Sequence, residues 1–118
     1  MIWIQVASLM MFLAVILGAF GAHAIHGKLS DNYMDIYETA VLYQFIHALG
    51  LFVVAWLSTI CKDEKVTIAG ILMLAGILMF SGSLYILSLT GIRWLGALTP
   101  VGGICFLAAW AILFLVKI

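Results

Sequence analysis

The sequence predicts an all-α fold: a four-helix transmembrane bundle in which sequential helices run antiparallel through short loops. Three observations predict it. Hydrophobic residues make up 67% of the 118 positions and charged residues 8%, with a mean hydropathy of +1.30. A soluble domain of this size could not hide that much apolar surface, because small domains have a large surface for their volume. Four apolar runs each reach about 20 residues, enough to cross ~30 Å of hydrocarbon at ~1.5 Å per residue. The alternation of polar and apolar residues that barrel strands need is missing, so the backbone must be satisfied within helices. The whole chain, 1–118, therefore reads as a single transmembrane domain with helices at about 2–24, 36–60, 66–89 and 95–118.

The first run ends in "GAFGAHAIHG" (18–27). Ala14, Gly18 and Ala22 recur every four residues with Gly21 beside them, a small-xxx-small pattern that lets helices pack closely. "AHA" at 22–24 has the small-x-small form of a signal-peptidase site. The stretch before it carries no Lys or Arg and its apolar run is longer than a signal h-region, so a spanning helix is expected instead. His23 and His26, three residues apart, can face one way like metal ligands. His47 lies ~18 Å deeper by helical rise, too far to share an ion or a haem with them. No metal site and no cofactor are expected. His23 and His26 read as an interfacial cap for the carbonyls at the helix end.

"IHGKLSDNYMD" (25–35) leads into the second run, with Ser30 or Asp31 able to start a short turn. Within that run Thr39, Tyr43, His47 and Gly50 share a face, with Gln44 beside them. An ionisable group in mid-membrane is uncommon and faces other helices or a water-filled cavity. "CKDEK" (61–65) forms the next loop, and the third run offers a matching stripe of Ser81, Tyr85 and Ser88. Tyr43, Gln44, His47, Ser81 and Tyr85 are the candidate polar intramembrane cluster. The first reading is an interhelical hydrogen-bond network, and the sharper one is a proton or substrate relay.

"TGIRW" (90–94) closes the third helix, with Gly91 as its left-handed stop. Arg93 and Glu38 fall on the same membrane side, and an ion pair between them, with His23 and Lys28 as competing partners at the rim, is expected from the cost of a lone charge near hydrocarbon; an anion or lipid-headgroup site is the sharper alternative. Gly82 and Gly102 are further packing positions. Pro100 is the sole proline, harmless in a first turn and a kink if the helix begins at Leu95. Cys61 and Cys105 read as free thiols.

Net charge is zero, so no nucleic-acid partner is expected. Lys62, Lys65 and Lys117 lie on the terminal side against Lys28 and Arg93 opposite, which predicts cytoplasmic termini by the positive-inside bias. No nucleophile–base–orienter set, P-loop, dinucleotide fingerprint or zinc motif is present, so no enzyme is expected.

"GAFGAHAIHGKLS" (18–30), "YETAVLYQFIHALGL" (37–51), "FSGSLYILSLTG" (80–91) and "LGALTPVGGICF" (95–106), in this order, resemble domain-of-unknown-function family 423, also called UPF0382. That family of small bacterial inner-membrane proteins is similar to eukaryotic transmembrane protein 256. The resemblance covers nearly all of the chain. It implies a four-helix integral membrane protein and brings no catalytic residues with it. Its recurring positions fall on Gly18, Gly21, His23, Tyr43, Gln44, His47, Ser81, Gly82, Ser83, Tyr85, Thr99, Pro100 and Gly102.

The expected role is a structural or accessory membrane component that self-associates as a homo-oligomer or joins a larger complex in the lipid bilayer. The alternative is a bundle that binds or transports a lipid, small molecule or ion around His47.

Overall fold

The computed structural model describes residues 2–118 as four membrane-length helices, with no strand among the described residues. They are α1 (Trp3–His23), α2 (Asp31–Ile60), α3 (Glu64–Thr90) and α4 (Arg93–Phe114). The all-α four-helix class predicted from the runs is the class observed.

Each helix end has a local cause. α2 starts at Asp31, earlier than the apolar run at 36, because Ser30 caps it: its Oγ accepts from the Tyr33 N–H at 3.2 Å. Asp31 then places a carboxylate against the positive end of the helix dipole. The apolar run marks only the part of a helix inside hydrocarbon, so it passed over this polar first turn. α3 is capped by Asp63, whose Oδ1 accepts from the Lys65 N–H at 3.0 Å. That backbone bond, aided by the Lys65 ammonium at 3.6 Å, holds the Asp63 carboxyl below the ordinary aspartate value. Gly91 stops α3 with φ of 74°, a left-handed conformation that costs glycine little. α4 opens with a 3-10 turn, Arg93–Ala97, and becomes α-helical at Thr99. Pro100 therefore sits in the first α-helical turn, where its missing N–H breaks no bond, and the kink considered above does not arise.

α3 is not uniform. Ile77–Ser81 forms a π-helical turn, closed by Gly82 N–H to the Ile77 carbonyl. The wider turn holds one extra residue. It brings the Phe80 backbone against α4 and the Ser81 hydroxyl against α2, where Ser81 Oγ donates to the Ala40 carbonyl at 2.8 Å.

α2 is the central element. α1 and α3 pack along it, while α4 packs tightly on α3 and only loosely on α2. Glycines serve as sockets for side chains. A Cβ on Gly21 would meet the Tyr37 ring, one on Gly70 the Trp3 ring, and one on Gly76 the Phe106 ring. Gly102 is the point where two backbones touch, since a Cβ there would strike the Phe80 amide. Two glycine–phenylalanine contacts, Gly76 with Phe106 and Gly102 with Phe80, thus pull α4 onto α3.

This revises the small-residue reading. Ala14 and Gly21 are buried and Gly18 is half-buried, but Ala22 is exposed. Gly82 has open space where its side chain would be, so it is no packing glycine. A repeat of four tracks a stripe on a helix, yet the partner helix covers only part of that stripe.

Candidate functional site

α2 carries buried polar side chains through the centre of the bundle. Gln44 is 3% exposed. Its Nε2 donates to the Met10 carbonyl of α1 at 2.9 Å, and its Oε1 accepts from the Tyr85 hydroxyl of α3 at 2.6 Å. One amide therefore ties three helices. Toward the end of the bundle that carries the 25–30 loop between α1 and α2 (loop 1), the Tyr37 hydroxyl donates to the Leu17 carbonyl, and its ring lies edge-on to Tyr85 at 5.3 Å. Ser83 and Thr99 pair at 2.6 Å and join α3 to α4.

His47 is 4% exposed and belongs to a different group. Its Nδ1 lies 2.8 Å from the Tyr43 carbonyl, and its Nε2 lies 3.0 Å from Trp110 Nε1. An indole N–H only donates and a carbonyl only accepts. The imidazole is therefore neutral, with its proton on Nδ1 and its Nε2 accepting from Trp110. The ring stacks on Phe106 with centroids 3.5 Å apart.

The predicted cluster of Tyr43, Gln44, His47, Ser81 and Tyr85 thus divides. Gln44, Tyr85 and Ser81 face α1 and the α2–α3 contact. His47 and Tyr43 face α4. The spacing of Tyr43, Gln44 and His47 places them on adjacent faces of α2, and only the packing of the neighbours decides which faces share a partner. Trp110, Phe106 and Phe80 were missed. Their signal was the i, i+4 pair Phe106–Trp110 within the last apolar run, where an indole N–H needs a buried acceptor.

The rim cluster is not assembled. His23, Glu38 and Arg93 are all exposed, and the ion pair found among the described residues is Lys65–Asp63. The expected Glu38–Arg93 clamp is absent because each charge reaches the aqueous boundary, where water solvates it and pairing gains little. The His23 imidazole makes no hydrogen bond to the carbonyls of α1 either, since the backbone closes that end through Ala24 N–H to Phe20. Cys61 and Cys105 are free thiols.

Between α2 and α4 the loose packing leaves an apolar groove of about 610 Å³. Tyr43, His47, Phe80, Gly103, Phe106 and Trp110 lie along it. Its rims, Leu42, Ile46, Ile104 and Leu107, are exposed toward the surroundings of the bundle. A second, smaller hollow of about 260 Å³ lies over Gly18 and Gly21 near the loop-1 end, with Glu38 on its lining.

Residues 17–103 match the family model described as protein of unknown function (DUF423). The UPF0382 membrane protein YwdK of Bacillus subtilis (strain 168) is 49% identical over 110 residues, covering 92% of this chain and 89% of that protein. The UPF0382 membrane protein SH2409 of Staphylococcus haemolyticus is 47% identical over 114 residues, covering 97% of this chain and 93% of its own. The UPF0382 membrane protein SAB0533 of Staphylococcus aureus is 44% identical over the same length. No solved structure matches the chain.

Proposed function

The chain belongs to the DUF423 family of UPF0382 membrane proteins, and from that premise we propose a non-enzymatic structural or accessory role in the bacterial inner membrane, as a self-associating bundle or a subunit of a larger membrane complex. One observation carries the reading. Among the described residues every buried side-chain nitrogen and oxygen has a hydrogen-bond partner. The buried polar groups of α2 and α3 are taken up in holding helices together, which supports a structural use for them. In lipid such bonds contribute about 0.6–2 kcal/mol each, enough in sum to define one arrangement of four apolar rods. The loops are too short to hold a separate soluble domain, so a partner that docks on the bundle or its loops would meet it within or at the edge of the membrane.

The test is native mass spectrometry of the protein released from nanodiscs. The expected result is a particle heavier than one 12.9 kDa chain, made of several copies or of this chain with a membrane partner in fixed ratio. A single chain across all lipid compositions would overturn the reading.

A further inference from the structure

The groove between α2 and α4 has features that helix packing alone does not require. Its volume of about 610 Å³ falls in the ~300–1,000 Å³ range of small-molecule sites. Its floor is aromatic and held in place. Tyr43 lies on Phe80 with centroids 4.5 Å apart, Phe80 lies 5.5 Å from Phe106, and Phe106 is stacked on His47, itself fixed by Trp110. Gly103 keeps the groove open: a Cβ there would find only Phe80 Cδ2, at 3.9 Å. That is ordinary contact, so nothing in the packing demands a glycine at this position.

The Tyr43 hydroxyl is the chemical clue. The side chain lines the groove, while Tyr37 and Tyr85 donate to Leu17 and Gln44 and the Tyr43 hydroxyl has no hydrogen bond among the described residues. A bare hydroxyl in hydrocarbon is costly, so it calls for an acceptor from outside the chain. Depth selects the kind of acceptor. In α2, Asp31–Ile60, the Tyr43 Cα lies about 4 Å from the helix midpoint by helical rise. The midpoints of the other three helices sit at a similar level, as the Gln44–Met10 and Gly102–Phe80 contacts show. The hydrocarbon border is then about 11 Å away from Tyr43, beyond the reach of a tyrosine side chain. The ester carbonyls of a phospholipid stay at that border. An acceptor near Tyr43 must belong to a molecule dissolved in the bilayer interior.

We propose that the groove is a lateral binding site for a hydrocarbon-dissolved carbonyl compound of the quinone type. Its planar ring lies against the Tyr43 and Phe80 rings, where offset stacking is favoured, while Phe106, 4% exposed and stacked on His47, backs the groove. One carbonyl oxygen accepts from the Tyr43 hydroxyl, and the apolar tail leaves along the open side of the groove. The proposal concerns binding and does not depend on how many copies assemble.

The test is equilibrium partition of labelled decylubiquinone between protein-loaded and empty nanodiscs of phosphatidylethanolamine and phosphatidylglycerol. The expected result is a saturable excess on the protein, little affected by competing decylbenzene, which has the tail and a ring but no carbonyl. Gly103→Leu, filling the groove, should abolish the excess. Tyr43→Phe should weaken it about three- to tenfold, the worth of one hydrogen bond. No excess over empty nanodiscs overturns the proposal. Full competition by decylbenzene overturns it too, because the groove would then hold acyl chains alone. So does a change in the number of copies per particle on Gly103→Leu without quinone binding, which would mark the groove as an interface between protomers. Helical dichroism checks the fold of each variant, and the decylbenzene competition needs no variant at all.

Discussion

His47 makes two hydrogen bonds of opposite sense, and that pair fixes its chemistry. It donates through Nδ1 to Tyr43 and accepts through Nε2 from Trp110. A second proton on the ring would face the Trp110 N–H, a donor against a donor, in a low-dielectric setting. The side chain is therefore a neutral strut between α2 and α4. Replacing it by Phe keeps the ring area but leaves the Trp110 N–H without an acceptor. We expect His47→Phe to lower stability by about 1–2 kcal/mol. A double-mutant cycle with Trp110→Phe should return a coupling of about 0.6–1.7 kcal/mol. Reversible denaturation in mixed micelles measures both, and a coupling near zero would show that the bond does not hold the helices. The residue type and its mid-membrane position were readable from the sequence as a sign of an interhelical partner. The partner was not, because Trp110 is 63 residues away and no spacing rule joins the two.

At the scale of elements, the α3–α4 contact decides the shape of the bundle. Gly102 meets the Phe80 backbone where α3 widens into its π turn. A methyl group there has nowhere to go, since backbone cannot yield as a flexible side chain does. Gly102→Ala should destabilise by about 1–3 kcal/mol, the usual penalty of overpacking. Gly82→Ala is the matched control. It lies two residues beyond Phe80, in open space, and should be neutral or gain up to about 1 kcal/mol of helix propensity. Thermal unfolding of the two variants separates glycines that pack from glycines that merely occur. From the sequence both fall in the same pattern of thinning residues. What separates them is the rotation of α3 about its own axis, which the π turn shifts part-way along the helix.

At the scale of the molecule, α2 and the long axis set the frame. The bundle measures 47 × 26 × 17 Å, and α2 alone, at ~1.5 Å per residue, nearly fills the longest dimension. Its first turn, with Asp31 and Asp35, projects beyond the hydrocarbon on the side of the 25–30 loop, and the exposed Glu38 lies close to that border. Lys62, Lys65 and Lys117 collect on the opposite side with both termini. From the positive-inside bias we propose that this side faces the cytoplasm. Reporter fusions at each terminus should both read cytoplasmic, and cysteine labelling in the 25–30 loop should read external. A reporter showing an external terminus would reverse the orientation.

Membrane residence, helix number and antiparallel order were determined by the sequence alone, because they follow from how much apolar length must be buried and how little loop joins it. The Gly91 stop was legible for a similar local reason, since a left-handed position selects glycine. The site was half legible. Gln44, His47, Ser81 and Tyr85 stood out as polar groups in hydrocarbon, but their division into two networks depends on which helix covers each face of α2. Only the tertiary structure decided that, along with the Trp110 partner, the missing Glu38–Arg93 pair and the open groove between α2 and α4. The physical reason is that helix periodicity records a face and a depth. The neighbour on that face is chosen by close packing at points such as Gly76 and Gly102, between residues far apart in the chain.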